Sequence, residues 1–418
     1  MISGWIAAAR LEEKAGGTAC LTIGCPDDFY AVRLGFPNVS QEAWRLTKVI
    51  GRAAPSFNDF VTPEAPTSWV TFRPGDTTTQ TSGNSGEDNG RGEIIVAGKS
   101  DTRSQEVAWT WTDWAPIASV APERPDGLRV LFLRALVPSC QTISYAVGQL
   151  RTLLGNRNLN HGFDTFVGGI KFDFDRVSTP ASAEPTSTWV VNQLVVGSLF
   201  PAVQFITKNR GITGMVVGDS HQQGTSSTEQ FSNFAFRAVT QVMPRHIGTM
   251  PLGLVNTAAG GLSSAQSFLR MMELIDEVQP SYVILPGWTY NDRTGHINAD
   301  RVAMEKFFAR LLMAAEQCEA RGILPVFMTP FPRDVASMGP EQMEPWYWLR
   351  AEILEIGRKG ATVIDSAALL GRTSPGGLDG TYKSEYTSDN MHPDDQGHAA
   401  LAEPLILILN KECANAMR

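Results

Sequence analysis

The 418-residue sequence predicts a chain in two parts: an all-β region over residues 1–208, then an α/β region over residues 209–418 built on a five-stranded parallel sheet. Three observations carry this. Short apolar runs broken by Gly, Pro, Asn, Asp and Ser fill the first half. In the second half such runs alternate with long amphipathic helices, the signature of a parallel sheet with crossover helices. The rhythm changes at Asn209, Arg210 and Gly211.

The first half reads as a sandwich or barrel, with strands in SWVTF (68–72), EIIVAG (93–98) and LRVLFLRAL (128–136). A helical patch is expected near Ser40 to Val49. The polar, Gly-rich segment 77–92 reads as a loop or hairpin tip, since it lacks the lysine and following helix of a phosphate cradle. In WTWTDW, strand alternation puts Trp109 and Trp111 on one face, which suits a core or, exposed, a sugar-stacking surface.

In the second half the expected strands are GMVV (214–217), TMPLGLVN (249–256), SYVILP (281–286), ILPVFM (323–328) and ATVID (361–365). A capping box at Ser226 and Glu229 should open the first long helix, whose apolar face is Phe231, Phe234, Ala235, Ala238, Val239 and Val242, with Pro244 ending it. Further helices are expected at 263–278, 299–321, 340–358 and 395–411. Gly322 supplies the left-handed stop of the third.

Composition narrows the function. With 43% hydrophobic and 19% charged residues the chain can build real cores. A net charge of −8 without a basic run excludes a nucleic-acid partner. No apolar run spans a bilayer, and the acidic residues of MISGWIAAARLEEK do not fit a signal peptide, so the expectation is a cytoplasmic protein without a membrane partner. Five scattered cysteines read as reduced thiols; Cys20 and Cys25 lack the second pair a zinc site needs, and no metal is expected.

In an open parallel sheet the ligand site lies beyond the carboxyl ends of the strands. Residues there are Gly218, Asp219, Ser220 and His221 after the first strand, Gly260 and Gly261 after the second, and Gly287 to Asp292 after the third. Pro330 to Arg333 follow the fourth, and the last long loop holds Asp389 and His392. A serine hydroxyl becomes a nucleophile when a base takes its proton and a third group holds that base in one tautomer. Asp389 and His392, three apart, can do this in a helix-like turn, the carboxylate on one ring nitrogen and Ser220 on the other. The N–H groups of Ser220 and Gly261 and the Asn291 amide are the candidate oxyanion donors.

GDS at the first strand end, NTAAGG after the second, ND after the third and DNMHP near the C-terminus together resemble the four blocks of the SGNH (GDSL) hydrolase family, over about 212–418. The resemblance implies a flavodoxin-like three-layer α/β/α domain that cleaves carboxylic esters through Ser220, His392 and Asp389, with Gly261 and Asn291 completing the oxyanion hole and no cofactor. Two features depart from the family pattern: three residues separate Gly287 from Asn291 instead of one, and His221 follows the serine where an apolar residue is usual. A β-sandwich, jelly-roll-like domain ahead of the hydrolase domain is similar to the layout of some members acting on acetylated sugars.

The expected substrate is therefore a small-molecule or carbohydrate ester. Acyl transfer by the same residues, or glycan binding by a degenerate hydrolase domain, are the competing expectations. A classical α/β-hydrolase is disfavoured because its nucleophile turn wants G-x-S-x-G and the fifth position of GDSHQ is Gln222. His221, Trp288 and Tyr290 are candidate pocket residues, Asp219 a brace for the strand-end bend, Asp292 a support beside Asn291, and His398 a helix residue packed under the last loop. Arg293 and Arg333, also at the active edge, read as solvated.

Overall fold

A computed structural model of the chain describes residues 5–10, 17–38, 43–54, 69–75, 93–98, 108–122, 127–137, 142–147, 166–172, 202–227, 233–292, 301–333 and 340–417. They fall into two compact units, Met1–Gly211 with Met243–Pro251, and Ile212–Val242 with Leu252–Arg418.

The first unit is β-rich and antiparallel. One sheet runs in the order Phe166–Phe172, Gly17–Cys25, Arg129–Val137, Lys48–Ala54, Val70–Thr71, and a second in the order Ala202–Thr207, Phe29–Asn38, Ala108–Trp111. Alternate residues of both sheets, among them Phe29, Val32, Leu34, Val49, Leu131 and Leu133, meet in one core that also takes in Trp44 and Phe72. The period of two is what lets each strand give one face to that core. It also overturns the helix expected near Ser40 to Val49: Trp44–Leu46 and Lys48–Ala54 are strands. Trp44 and Leu46 are buried either side of an exposed Arg45, so the two-residue alternation wins over the helical reading. The segment 77–92 lies outside the described residues.

Trp109 and Trp111 stack with centroids 5.9 Å apart, and Trp111 is buried. The Arg33 guanidinium lies 4.8 Å from the Trp111 ring and 5.0 Å from that of the partly exposed Trp114. The aromatic face is thus covered by the chain's own cation. Cys25 is a free, buried thiol, pushed up to about 12 by that burial.

The second unit holds a five-stranded parallel sheet: β1 (Ile212–Val216), β2 (Leu252–Asn256), β3 (Tyr282–Leu285), β4 (Leu324–Met328) and β5 (Thr362–Ile364). Their spatial order is β2-β1-β3-β4-β5, every neighbouring pair parallel. This is the flavodoxin-like order, whose direction reverses between β1 and β3. All four β3 residues are buried, as the central strand of a doubly covered sheet requires.

The unit's helices are α1 (Ser220–Gln223), α2 (Phe234–Val242), α3 (Ser264–Val278), α4 (Arg301–Glu319), α5 (Pro340–Arg358), α6 (Ser366–Leu370) and α7 (Asp395–Ala416). α2 packs on α7, and α3 on α4 on α5, which gives a helical layer on each face of the sheet. The last helix runs five residues past its expected end at 411, the second strand starts at Leu252 rather than Thr249, and the first long helix starts late. The first long helix starts at Phe234, and the Asn233 side chain accepts the Phe236 N–H at 2.9 Å, so Asn233 rather than Ser226 supports its first turn. Glu229 and Phe231 lie outside the described residues. Among the described residues no helix is long and apolar enough to cross a membrane.

Candidate active site

β1 and β3 deliver their carboxyl ends to the point where the strand order reverses, and the sequence of each end is built for a sharp exit. Gly218 has a φ of 150°, and a Cβ there would strike the Gln222 side chain. Asp219 then caps α1. Its carboxylate accepts the His221 N–H at 3.0 Å, while the Gln222 side chain accepts the Asp219 N–H at 3.1 Å. Ser220 is therefore the first residue of a one-turn helix closed by Gly224, which stands at φ 101°. At the end of β3 a Cβ on Gly287 would run into the backbone at Thr329, so only glycine lets that exit pass β4 so closely.

The last loop reaches back to this turn. Ser220 Oγ lies 2.9 Å from His392 Nε2, and His392 Nδ1 lies 2.7 Å from Asp389 Oδ2. Asp389 also accepts the backbone N–H groups of Met391 at 2.8 Å and His392 at 2.7 Å, and the Ser226 hydroxyl at 3.0 Å. Partial burial pushes the Asp389 carboxyl up, but the hydrogen bonds from His392 and Met391 outweigh it and hold it well below the usual carboxylate range. His392 is pushed down, first by burial and then by the nearby His221, against the pull of Asp389. An imidazole kept neutral, with Nδ1–H on a carboxylate and Nε2 on a hydroxyl, is arranged to accept the hydroxyl proton.

The turn after β2 lies beside the serine: a Cβ on Gly260 would come 3.7 Å from Ser220 Cβ. The Gly260 N–H is already given to Gln223 Oε1 at 2.7 Å, while Gly261 takes a φ of 81°. Asn291 Nδ2 donates to the Leu262 carbonyl at 3.0 Å and lies 3.4 Å from Asp219 Oδ2. Asp292 accepts the Ser264 N–H at 2.9 Å and the Ser264 hydroxyl, and Arg310 Nη1 lies 3.8 Å from it. It therefore pins the start of α3 under the Asn291 loop.

The structure brings Ser220, His392 and Asp389 together, with Gly261 and Asn291 on neighbouring turns. The three candidate pocket residues are placed differently. Trp288 is fully buried edge-on to Phe307 at 5.2 Å, and Tyr290 is buried with its hydroxyl on the Phe331 carbonyl at 2.7 Å. His221 is buried with Nδ1 2.9 Å from Asp219 Oδ1 and Nε2 2.9 Å from the Met391 carbonyl. All three pack behind the site instead of walling an exposed pocket. Arg333 is also buried rather than solvated, its guanidinium 4.1 Å from the Tyr290 ring; Arg293 lies outside the described residues. His398 is buried in α7 and accepts the Phe234 N–H at 3.3 Å.

Sequence reasoning missed Ser226 as a donor to Asp389, because it read that serine as a helix cap. It also missed Phe331, whose ring stacks on His221 at 4.9 Å; nothing in the spacing of PFPRD advertises that contact.

No protein-family model and no curated protein matches the chain. Among solved structures it is similar to a lipase/acylhydrolase from Enterococcus faecalis, at 15% identity and a TM-score of 0.38, over 48% of this chain and 96% of that one. It is similar also to a GDSL-like lipase from Bacteroides thetaiotaomicron, at 17% identity and a TM-score of 0.36, over 48% and 88%. A psychrotrophic esterase from Pseudoalteromonas sp., in a structure inhibited by monoethylphosphonate, matches at 14% identity and a TM-score of 0.35, over 48% and 98%.

Proposed function

We propose that the chain is a serine esterase of the SGNH (GDSL) type, with residues 209–418 as its catalytic domain and residues 1–208 as an accessory β-domain. The observation that carries the reading is the relay from Ser220 Oγ to His392 Nε2 at 2.9 Å and from His392 Nδ1 to Asp389 at 2.7 Å.

His392 takes the hydroxyl proton as Ser220 Oγ bonds to the ester carbonyl carbon, and Asp389 stabilises the imidazolium that results. Collapse of the tetrahedral intermediate expels the alcohol, protonated by His392, and leaves an acyl-enzyme. Water, deprotonated by the same histidine, then releases the acid and restores the serine. The oxyanion is met by the N–H groups of Ser220 and Gly261 and by Asn291. Gly261 is favoured over Gly260 because the Gly260 N–H is already bonded to Gln223. One amide hydrogen of Asn291 is held by Leu262; the other faces Asp219 Oδ2 at 3.4 Å and Thr289 Oγ1 at 3.3 Å, long contacts that an oxyanion has to displace. Short acyl groups, acetyl first, on a carbohydrate or other small alcohol are the substrates to try.

The test is covalent capture. A serine-reactive phosphonate should add to Ser220, located by mass spectrometry. Ser220→Ala should lose both the adduct and the hydrolysis of acetyl and butyryl aryl esters. Hydrolysis unchanged in Ser220→Ala overturns the reading. Product analysis with a competing acceptor sugar separates hydrolysis from acyl transfer.

A further inference from the structure

We propose that His221 is a buried imidazolium, a positioning residue that bridges the loop of the nucleophile to the loop of the general base and opposes protonation of His392. For the role of His392 this rests on the esterase reading.

The argument starts from hydrogen-bond supply. His221 is 2% exposed, and each ring nitrogen is 2.9 Å from an oxygen: Nδ1 from Asp219 Oδ1, Nε2 from the Met391 carbonyl. A carbonyl oxygen only accepts, and so does an ionised carboxylate. Asp219 is met by donors other than the His221 ring, the His221 backbone N–H at 3.0 Å on Oδ1 and Asn291 Nδ2 at 3.4 Å on Oδ2, a setting that favours the ionised, accept-only carboxylate. A neutral imidazole has one N–H and would leave the other nitrogen's lone pair against an oxygen lone pair inside the protein, which is costly. Two protons satisfy both contacts. Asp219 is then the buried counter-ion that such a charge requires.

The position of the bridge gives it a purpose. Asp219 immediately precedes Ser220, and Met391 immediately precedes His392. One ring therefore ties the carboxylate next to the nucleophile to the backbone carbonyl next to its base. The Tyr382 hydroxyl donates to the same Met391 carbonyl at 3.2 Å. Phe331 stacks on the His221 ring at 4.9 Å and Tyr290 lies at 5.6 Å, which fix its plane.

The bridge is also electrostatic. The His221 and His392 rings are 5.0 Å apart, so a cation on the first disfavours a second proton on the second. Other charged or titratable groups face this pair from every packed element. Asp219 and Asp389 contribute negative charge, Arg333 stands beyond the Tyr290 ring, Tyr382 ends the strand Gly377–Tyr382, and His398 in α7 is kept neutral by burial. The two carboxylates pull His392 up; His221 opposes them.

The experiment uses the full chain. Histidine ring nitrogens are labelled with 15N and assigned by comparison with His221→Gln; Ser220 labelling by a serine-reactive phosphonate is followed against pH in both proteins. The expected spectrum shows both His221 nitrogens protonated across the range in which His392 titrates. Removing the cation favours protonated His392, so in His221→Gln the acid limb of labelling should move up by about one pH unit, with a slower maximal rate. A single protonated nitrogen on His221 overturns the proposal, and so does an acid limb unmoved in a variant that melts like the wild type. If Ser220 is not labelled at all the esterase reading fails, and the spectrum alone then decides the charge of His221.

Discussion

Asp389 shows how much one side chain in the last loop is asked to do. It orients His392 by the ring and by the backbone, and ties Met391 and Ser226 into the same loop. An amide there keeps the shape but cannot accept every one of those bonds, and it favours the wrong imidazole tautomer. Asp389→Asn should lower kcat on an acetyl ester by about 10³–10⁴-fold while the fold survives, measured by steady-state kinetics beside a melting curve. The grouping of Ser220, His392 and Asp389 was legible because Ser220 stands at a strand end and Asp389 and His392 stand three apart in the last loop, a spacing that lets one carboxylate reach the ring. His221, Trp288 and Tyr290 were misjudged because position after a strand says nothing of which way a side chain turns. Here the exit from β3 folds inward over Phe307 and Phe331.

At the scale of the element, the parallel sheet could be read almost strand by strand. Buried strands of four or five apolar residues and helices of period 3.6 are the strongest signals a single sequence carries. The error at α2 is instructive. Ser226 and Glu229 satisfy the spacing of a capping box, but the Ser226 hydroxyl is drawn to Asp389, and Asn233 takes the helix start. The Ser40 to Val49 patch failed for a related reason, since a short run with apolar residues at 44, 46 and 49 fits both periods until a partner strand is known. At α3 the cap is genuine: Ser263 and Gln266 bond reciprocally. Ser263→Ala should cost about 1 kcal/mol in urea unfolding, since the Asp292 bond to Ser264 still holds the neighbouring N–H.

At the scale of the whole molecule, the buried His398 sets a limit on acid tolerance. Burial, with Arg237 nearby, depresses its pKa to about 3, against an unperturbed value of 6.5. The unfolded chain therefore binds a proton at this residue between those values and the folded chain does not. Stability is unaffected above pH 6.5, falls as pH drops toward 3, and levels off below. The slope from this one group approaches about 1.4 kcal/mol per pH unit. His398→Gln should flatten the urea midpoint against pH between 6 and 3, whatever offset the substitution adds at pH 7.

The bond between Ser220 and His392 joins residues 172 positions apart, one at the end of the first strand of its unit and the other in the final loop before α7. No half of that unit contains a working pair. A chain emerging from the ribosome carries Ser220 long before His392, and their hydrogen bond can form only when the last loop has returned to α1. On the esterase reading, reactivity toward a phosphonate is thus a certificate that this pairing has formed. A pulse of reagent would then time that pairing, and would leave truncated chains out of the count without any antibody or tag.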